Sequence, residues 1–204
     1  MVSADPFAPD AVALRTDLSR GIVGFRLAPA CPQSRTWAAF DRSADWLYDA
    51  FEAEASRTAA HEADAVCQRL VHDGQLDQVF TPVERCPDLT YSIDHFARTD
   101  PSAPPDGGAF ADLVALAAYD VAVKLFGAAP VSTRSSPCPD SHDHVRWLLE
   151  TSGRERVIRG SDYLSVSDVT DYPRTLAWLD AVDGLSAADR EWPTDRAFRG
   201  HAGL

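Results

Sequence analysis

The chain reads as a mainly α protein: one helical domain with at most a small β-sheet. Three observations predict this. No glycine or proline interrupts Gln33 to Asp73, and Trp37, Phe40, Ala44, Leu47 and Phe51 recur there at three/four spacing, which is one apolar helix face. Ala109 to Phe126 is apolar nearly all round, as a central helix would be. Segments with strand character are short and lie near 22–27, 89–95 and 156–166.

In chain order, Ala11 to Leu18 is a short amphipathic helix with Asp10 as its N-cap, ended by Gly21. Ile22 to Leu27 is a short strand bounded by Pro29 and Pro32. The long segment from Gln33 to Asp73 is one helix or two stacked ones, stopped at Gly74, and Leu76 to Phe80 adds a further turn. Leu89 to His95 alternates apolar and polar residues and puts His95 on the face of Leu89, Tyr91 and Ile93. Asp100–Gly108 and Ala128–Asp140 are Pro- and Gly-rich loops flanking the central helix. Ser141 to Thr151 is a helix capped by Asp140 or Ser141. Val157-Ile158 and Tyr163 to Val166 are short strands, and Asp171-Tyr172-Pro173 opens a helix through Val182. The expected organisation is a single globular domain over 1–190 and a polar C-terminal tail over 191–204.

Bulk properties narrow the function. A chain of 204 residues with 45% hydrophobic residues can bury a core without staples. Its formal charge of −12 repels phosphate backbones and anionic lipid, so neither nucleic acid nor membrane is expected as a partner. Met1 to Arg20 lacks an apolar leader and no apolar run reaches about 18 residues, so a cytoplasmic protein is expected. Lys124 is the only lysine, and no Gly-x-x-x-x-Gly precedes it, which disfavours P-loop and pyridoxal-type chemistry. Cys31, Cys67, Cys86 and Cys138 form no Cys-x-x-Cys. Gly-x-Gly-x-x-Gly, Gly-x-Ser-x-Gly and His-Glu-x-x-His are absent as well, so no cofactor is expected.

The densest chemistry lies in Cys138-Pro139-Asp140-Ser141-His142-Asp143-His144. Cys138, His142 and His144 are the donor types zinc favours. Histidines at i and i+2 stand about 200° apart on a helix, however, so they could share a metal only before the helix begins. The alternative is an acidic helix start that complements the helix dipole. Asp140 lies one turn before His144 and could orient its imidazole and raise its pKa for acid/base work. His95, beside Asp94 and Arg98 and facing the core with Tyr91, is a second acid/base candidate, or else a satisfied core histidine. Arg154 and Arg156 could grip a carboxylate or phosphate, and Arg26 in an apolar strand needs a partner.

These residues point to a small-molecule enzyme, a lyase, cyclase or hydrolase, working without a nucleotide cofactor. The candidate catalytic residues are His95, Asp140, His142 and His144. Arg26, Tyr91, Arg154 and Arg156 are the candidate substrate-binding residues, and no metal ligand is assigned. The expected pocket lies between the central helix and the aromatic helix of Trp37 to Phe51. The alternatives are a metal-assisted hydrolase using the Cys138–His144 cluster and a non-catalytic binding protein.

Overall fold

The computed structural model describes residues 2–4, 11–27, 58–126, 132–162 and 171–204. Among these residues the chain builds a six-stranded parallel sheet whose strands lie side by side in sequence order. The strands are β1 (Val2–Ala4), β2 (Gly24–Leu27), β3 (Val66–Arg69), β4 (Tyr91–Ile93), β5 (Ala122–Phe126) and β6 (Val157–Gly160). Parallel neighbours need a crossover to bring the chain back, and helices supply it. The helices are α1 (Ala11–Ser19) before β2, α2 (Asp77–Arg85) before β4, α3 (Gly108–Ala115) before β5 and α4 (His142–Ser152) before β6. Residues 58–62 are helical before β3. Sequential βα units of this kind form the wall of a (β/α) barrel. After β6 come α5 (Tyr172–Ala177), α6 (Ala187–Glu191) and α7 (Arg196–His201).

The strand pleat divides the sheet into two unlike faces. Phe25, Cys67, Tyr91, Ile93, Val123, Leu125 and Val157 point to one side, and all are buried. They pack with Leu14 of α1, Val79 and Val83 of α2, Phe110 and Leu113 of α3, and Val145 and Leu148 of α4 in one core. Each such side chain contributes about 1.5–3 kcal/mol on burial, so this face holds the fold together. The other face carries Arg26, Gln68, Ser92, Lys124 and Gly160, as the register requires. Ala122 and Ile158 of this face meet Ala197 of α7, with Trp192 against them. Residues 191–204, read above as a polar tail, thus carry a helix whose Ala197 is buried.

The mainly α expectation is overturned by this sheet. Ala109 to Phe126 is not one helix: α3 stops at Ala115, a 3-10 turn runs Leu116–Tyr119, and Ala122–Phe126 is strand β5, paired on both sides. Val66–Arg69, read as the end of a long helix, is strand β3. Trp37 to Phe51, with the expected pocket beside it, lies outside the described residues. The physical cause is local. Asp120 closes its helix at φ 62 and Asp64 precedes β3 at φ 52. Both occupy the left-handed conformation that ends helices, a place more often held by glycine. Strands covered on both faces also lose alternation and read like buried helix.

The short strands are better matched. β2 falls within 22–27, β4 within 89–95 and β6 within 156–166, although 163–170 lies outside the described residues. The expected helices at 11–18, 141–151 and 171–182 correspond to α1, α4 and α5, the last followed by a 3-10 turn, Trp178–Ala181. Among the described residues no helix is long and apolar enough to cross a membrane.

Candidate active site at the C-terminal edge of the sheet

In a parallel sheet the C-terminal strand ends face outward together, and ligands bind there. Those ends carry Arg26 on β2, Gln68 on β3, Asp94 and His95 after β4, Lys124 on β5 and Asp162 after β6. Asp94 is fully buried. One of its oxygens lies 2.9 Å from Arg26 Nε and the other 2.9 Å from Lys124 Nζ. Arg26 Nε also donates to Gln68 Oε1 at 3.0 Å. One carboxylate therefore holds two cations from strands on either side of it. Both cations keep partial exposure, 27% for the Arg26 side chain and 14% for Lys124, so each can meet a ligand.

His95 follows directly in an unusual turn. His95, Phe96, Ala97 and Arg98 all have φ between 52° and 54°, a single turn of left-handed helix built from four L-residues. Each such residue costs about 1–2 kcal/mol. Asp162, on the far side of the edge, is left-handed too at φ 47. Strain gathered in this way is kept where geometry matters for function. The turn is closed by Ala97 N donating to Asp94 O at 2.9 Å and Thr99 N to Phe96 O at 3.1 Å.

The electrostatics follow from burial and charge. His95 is 4% exposed. Burial, followed by Lys124, Arg26 and Arg98, holds its pKa well below the usual imidazole value. It is therefore neutral at pH 7 and able to accept a proton. Its Nε2 stands 3.8 Å from Asp162 Oδ1, beyond hydrogen-bond range. Burial pushes the Asp162 carboxyl up, against the pull of Lys124, Arg26 and Arg98. Among the described residues three cations thus surround the Asp94 carboxyl, a neutral histidine and one carboxyl of raised pKa. Cations outnumber carboxyls among the described residues of this edge, on a chain whose formal charge is −12.

Of the eight residues singled out from sequence, this edge gathers Arg26 and His95. The other six sit elsewhere. Tyr91 is in the core, its hydroxyl donating to Pro82 O at 3.0 Å. Asp140 accepts from Ser132 Oγ at 2.5 Å, Thr133 N at 2.9 Å and Thr133 Oγ1 at 3.1 Å. Partial burial raises its pKa, but these bonds outweigh that and hold it below the usual value. It serves the loop instead of orienting His144. His144 is buried edge-on against Phe110, with ring centroids 4.8 Å apart, and burial lowers its pKa, outweighing the upward pull of an Ala103 backbone hydrogen bond and of Asp143, Asp140 and Asp100. His142 Nε2 meets Pro137 O at 2.9 Å. Arg156 pairs with Asp120 at 2.9 Å and Arg154 with Asp189 at 3.3 Å, both at the N-terminal end of β6.

Sequence reasoning missed Gln68 and Asp162, named Asp94 and Arg98 only as neighbours of His95, and weighed Lys124 only to set lysine-dependent chemistry aside. Lys124 was hidden by the helical reading of β5. Its signal was its place as the one lysine inside an apolar run. Asp94-His95 at the end of an alternating segment was the other signal. Arg69, also unnoticed, is fully buried, its guanidinium 5.9 Å from the Tyr91 ring centroid, with no hydrogen-bond acceptor among the described residues.

Comparison with known proteins adds to this geometry. The family model described as Amidohydrolase matches residues 1–192. Among solved structures, the chain is similar to a probable 2-pyrone-4,6-dicarboxylic acid hydrolase from Acinetobacter baumannii with citric acid bound. That match has 14% identity and a TM-score of 0.76, covering 97% of this chain and 70% of that one. It is also similar to an amidohydrolase from Burkholderia multivorans with HEPES bound, at 22% identity and TM-score 0.77, covering 98% and 71%. A Burkholderia multivorans amidohydrolase structure with zinc bound matches at 18% identity and TM-score 0.68, covering 97% and 89%. At these identities the likeness is one of fold, a TIM-barrel-like α/β architecture. No curated protein matches.

The zinc in that relative raises the question of a metal here. The described residues of the edge do not fit one. Both Asp94 oxygens are taken by cations, and His95 lies in the field of three. No group of three or more His, Cys, Asp or Glu among the described residues converges on a metal position, the Cys138–His144 run included. This donor set suits an anion.

Proposed function

Because the chain belongs to the amidohydrolase family, we propose that it hydrolyses a small anionic substrate at the edge formed by Arg26, Asp94, His95, Arg98, Lys124 and Asp162. The family favours the hydrolase among the three reaction types expected from sequence. The observation that carries the reading is the trio of cations, Arg26, Arg98 and Lys124, around a desolvated, neutral His95. Such an arrangement binds a carboxylate and stabilises negative charge as it develops on a carbonyl oxygen. The citric acid bound by the Acinetobacter baumannii relative agrees with an acidic ligand.

The steps follow from the protonation states. Neutral His95 accepts a proton from water as the water oxygen attacks the substrate carbonyl. The oxyanion that forms faces the Lys124 and Arg26 cations, which Asp94 holds in place. The C–O or C–N bond then breaks, and the proton on His95 passes to the leaving group. Asp162, across from His95, stabilises the imidazolium while it exists.

Purified protein assayed on a panel of carboxylate-bearing lactones, esters and amides tests this. Hydrolysis should appear on an anionic member, be weaker on its neutral methyl ester, and fall by roughly 10²-fold or more in His95→Gln. Hydrolysis untouched by His95→Gln, or equal on acid and methyl ester, would remove the assignment.

A further inference from the structure

We propose that Gly160 is a positioning residue of this site: its missing side chain is the slot in which Lys124 lies. The inference rests on the functional reading above for its consequence, but not for its geometry. Lys124 stands on β5 beside Ile158 of β6, and Gly160 is two residues further along the same face. Side chains in a strand lean along the strand direction, so the lysine stem runs toward the C-terminal edge and across Gly160. A Cβ at position 160 would lie 2.4 Å from Lys124 Cε, 3.3 Å from Cδ and 3.4 Å from Cγ. The first distance is well inside van der Waals contact, and the three nearest atoms all belong to Lys124.

Three consequences follow. The stem is covered, which leaves Lys124 only 14% exposed although it sits at a sheet edge. Its ammonium is directed to Asp94 at 2.9 Å and thereby fixed beside Arg26. Gly160 also lies two residues before Asp162, so one short segment sets both the cation and the carboxyl opposite His95. Position 160 therefore controls where the substrate's negative charge can sit. A methyl group there meets the far end of a flexible side chain, so the fold should survive while the lysine moves.

Lys124 is the only lysine, which makes the test direct. Reductive methylation with ¹³C-formaldehyde labels Lys124 and the chain's N-terminal amine, and the two are separable by NMR. Gly160→Ala should keep the thermal midpoint close to that of the parent, label Lys124 several-fold faster, and shift its methyl resonances toward those of a solvated lysine. Where hydrolysis is measurable, KM for the anionic substrate should rise more than kcat falls. Equal labelling rates in parent and variant would overturn the proposal, whatever the activity assay shows. Should Gly160→Ala unfold the protein, the cycle with Lys124→Ala decides, because alanine removes the γ, δ and ε atoms that a Cβ at 160 would meet. Gly160→Ala must then add little to the stability change of Lys124→Ala alone, and an undiminished loss would overturn the assignment. Failure to find any substrate bears on the hydrolase reading and leaves the labelling result standing.

Discussion

The two ends of the sheet hold similar charged residues to opposite effect. At the C-terminal edge, Arg26 and Lys124 share Asp94, which is fully buried, and the turn that follows is strained. At the N-terminal edge, Arg156 pairs with Asp120, with side chains 39% and 84% exposed. Both are arginine–aspartate contacts of 2.9 Å, so distance does not separate them. Burial does. An exposed pair is screened by water and contributes little, whereas a buried carboxylate between two cations is costly to leave unbalanced. The same residue types therefore make a buried charged cluster, the candidate site, at one end and a surface pair at the other.

The comparison is broken most directly at Asp94. Asp94→Ala leaves Arg26 and Lys124 without their shared counter-charge, and should cost about 3 kcal/mol of stability, the low end for a broken buried pair because both cations can reach solvent. Activity should be lost with it. Urea denaturation measures the first, and a cost under about 1 kcal/mol would mean the two ends are alike. Next in size, Lys124→Met should reduce kcat/KM by roughly 10²-fold on the anionic substrate, the usual scale for one lost oxyanion donor, with a much smaller change on its methyl ester. Equal losses on both would show a packing role only.

Acid acts on both ends of the sheet through histidines whose pKa burial lowers. His201, near Asp120 at the N-terminal end, bonds the Tyr91 backbone, and burial lowers its pKa to about 4. His95 is shifted in the same direction. A histidine with a depressed folded pKa takes up its proton more readily when unfolded. Its contribution is present above about pH 6.5 and is lost as pH falls toward the folded pKa. For His201 the loss between about pH 6.5 and 4 is at most on the order of 3 kcal/mol. His201→Gln should flatten the fall in urea midpoint between pH 7 and pH 5 while kcat/KM at pH 7 stays as in the parent. An unchanged slope would remove His201 from the account. The smallest effect is at the exposed pair: Arg156→Ala should cost no more than about 1 kcal/mol and leave kcat/KM unaltered. A loss of activity there would put the site at the wrong end of the sheet.

How much of this was legible depended on what each residue needed from its neighbours. Arg26 and His95 could be picked out because each is a polar residue at the end of a short apolar strand, a pattern visible in one segment. Asp140, His142 and His144 were equally visible as a dense polar run. Their hydrogen bonds go to Ser132, Thr133 and Pro137, and the His144 ring goes to Phe110. Gln68 on β3, Lys124 on β5 and Asp162 just after β6 acquire meaning only when the sheet puts them side by side. Gly160 carries no chemistry of its own, and its role exists only because a lysine crosses it.

Local stretches of chain were enough to encode several features. These are the starts of α1, α4 and α5, the short strands β2, β4 and β6, and the lack of nucleotide-binding motifs. Each depends on neighbours within a turn or a few residues. The tertiary structure decided the fold class and the site. β3 and β5 are strands because parallel partners on both sides complete their hydrogen bonds, against a periodicity that fits a helix equally well. The charged edge exists because sequential parallel strands deliver their C-terminal ends to one side, bringing residues from Arg26 to Asp162 around a single buried carboxylate.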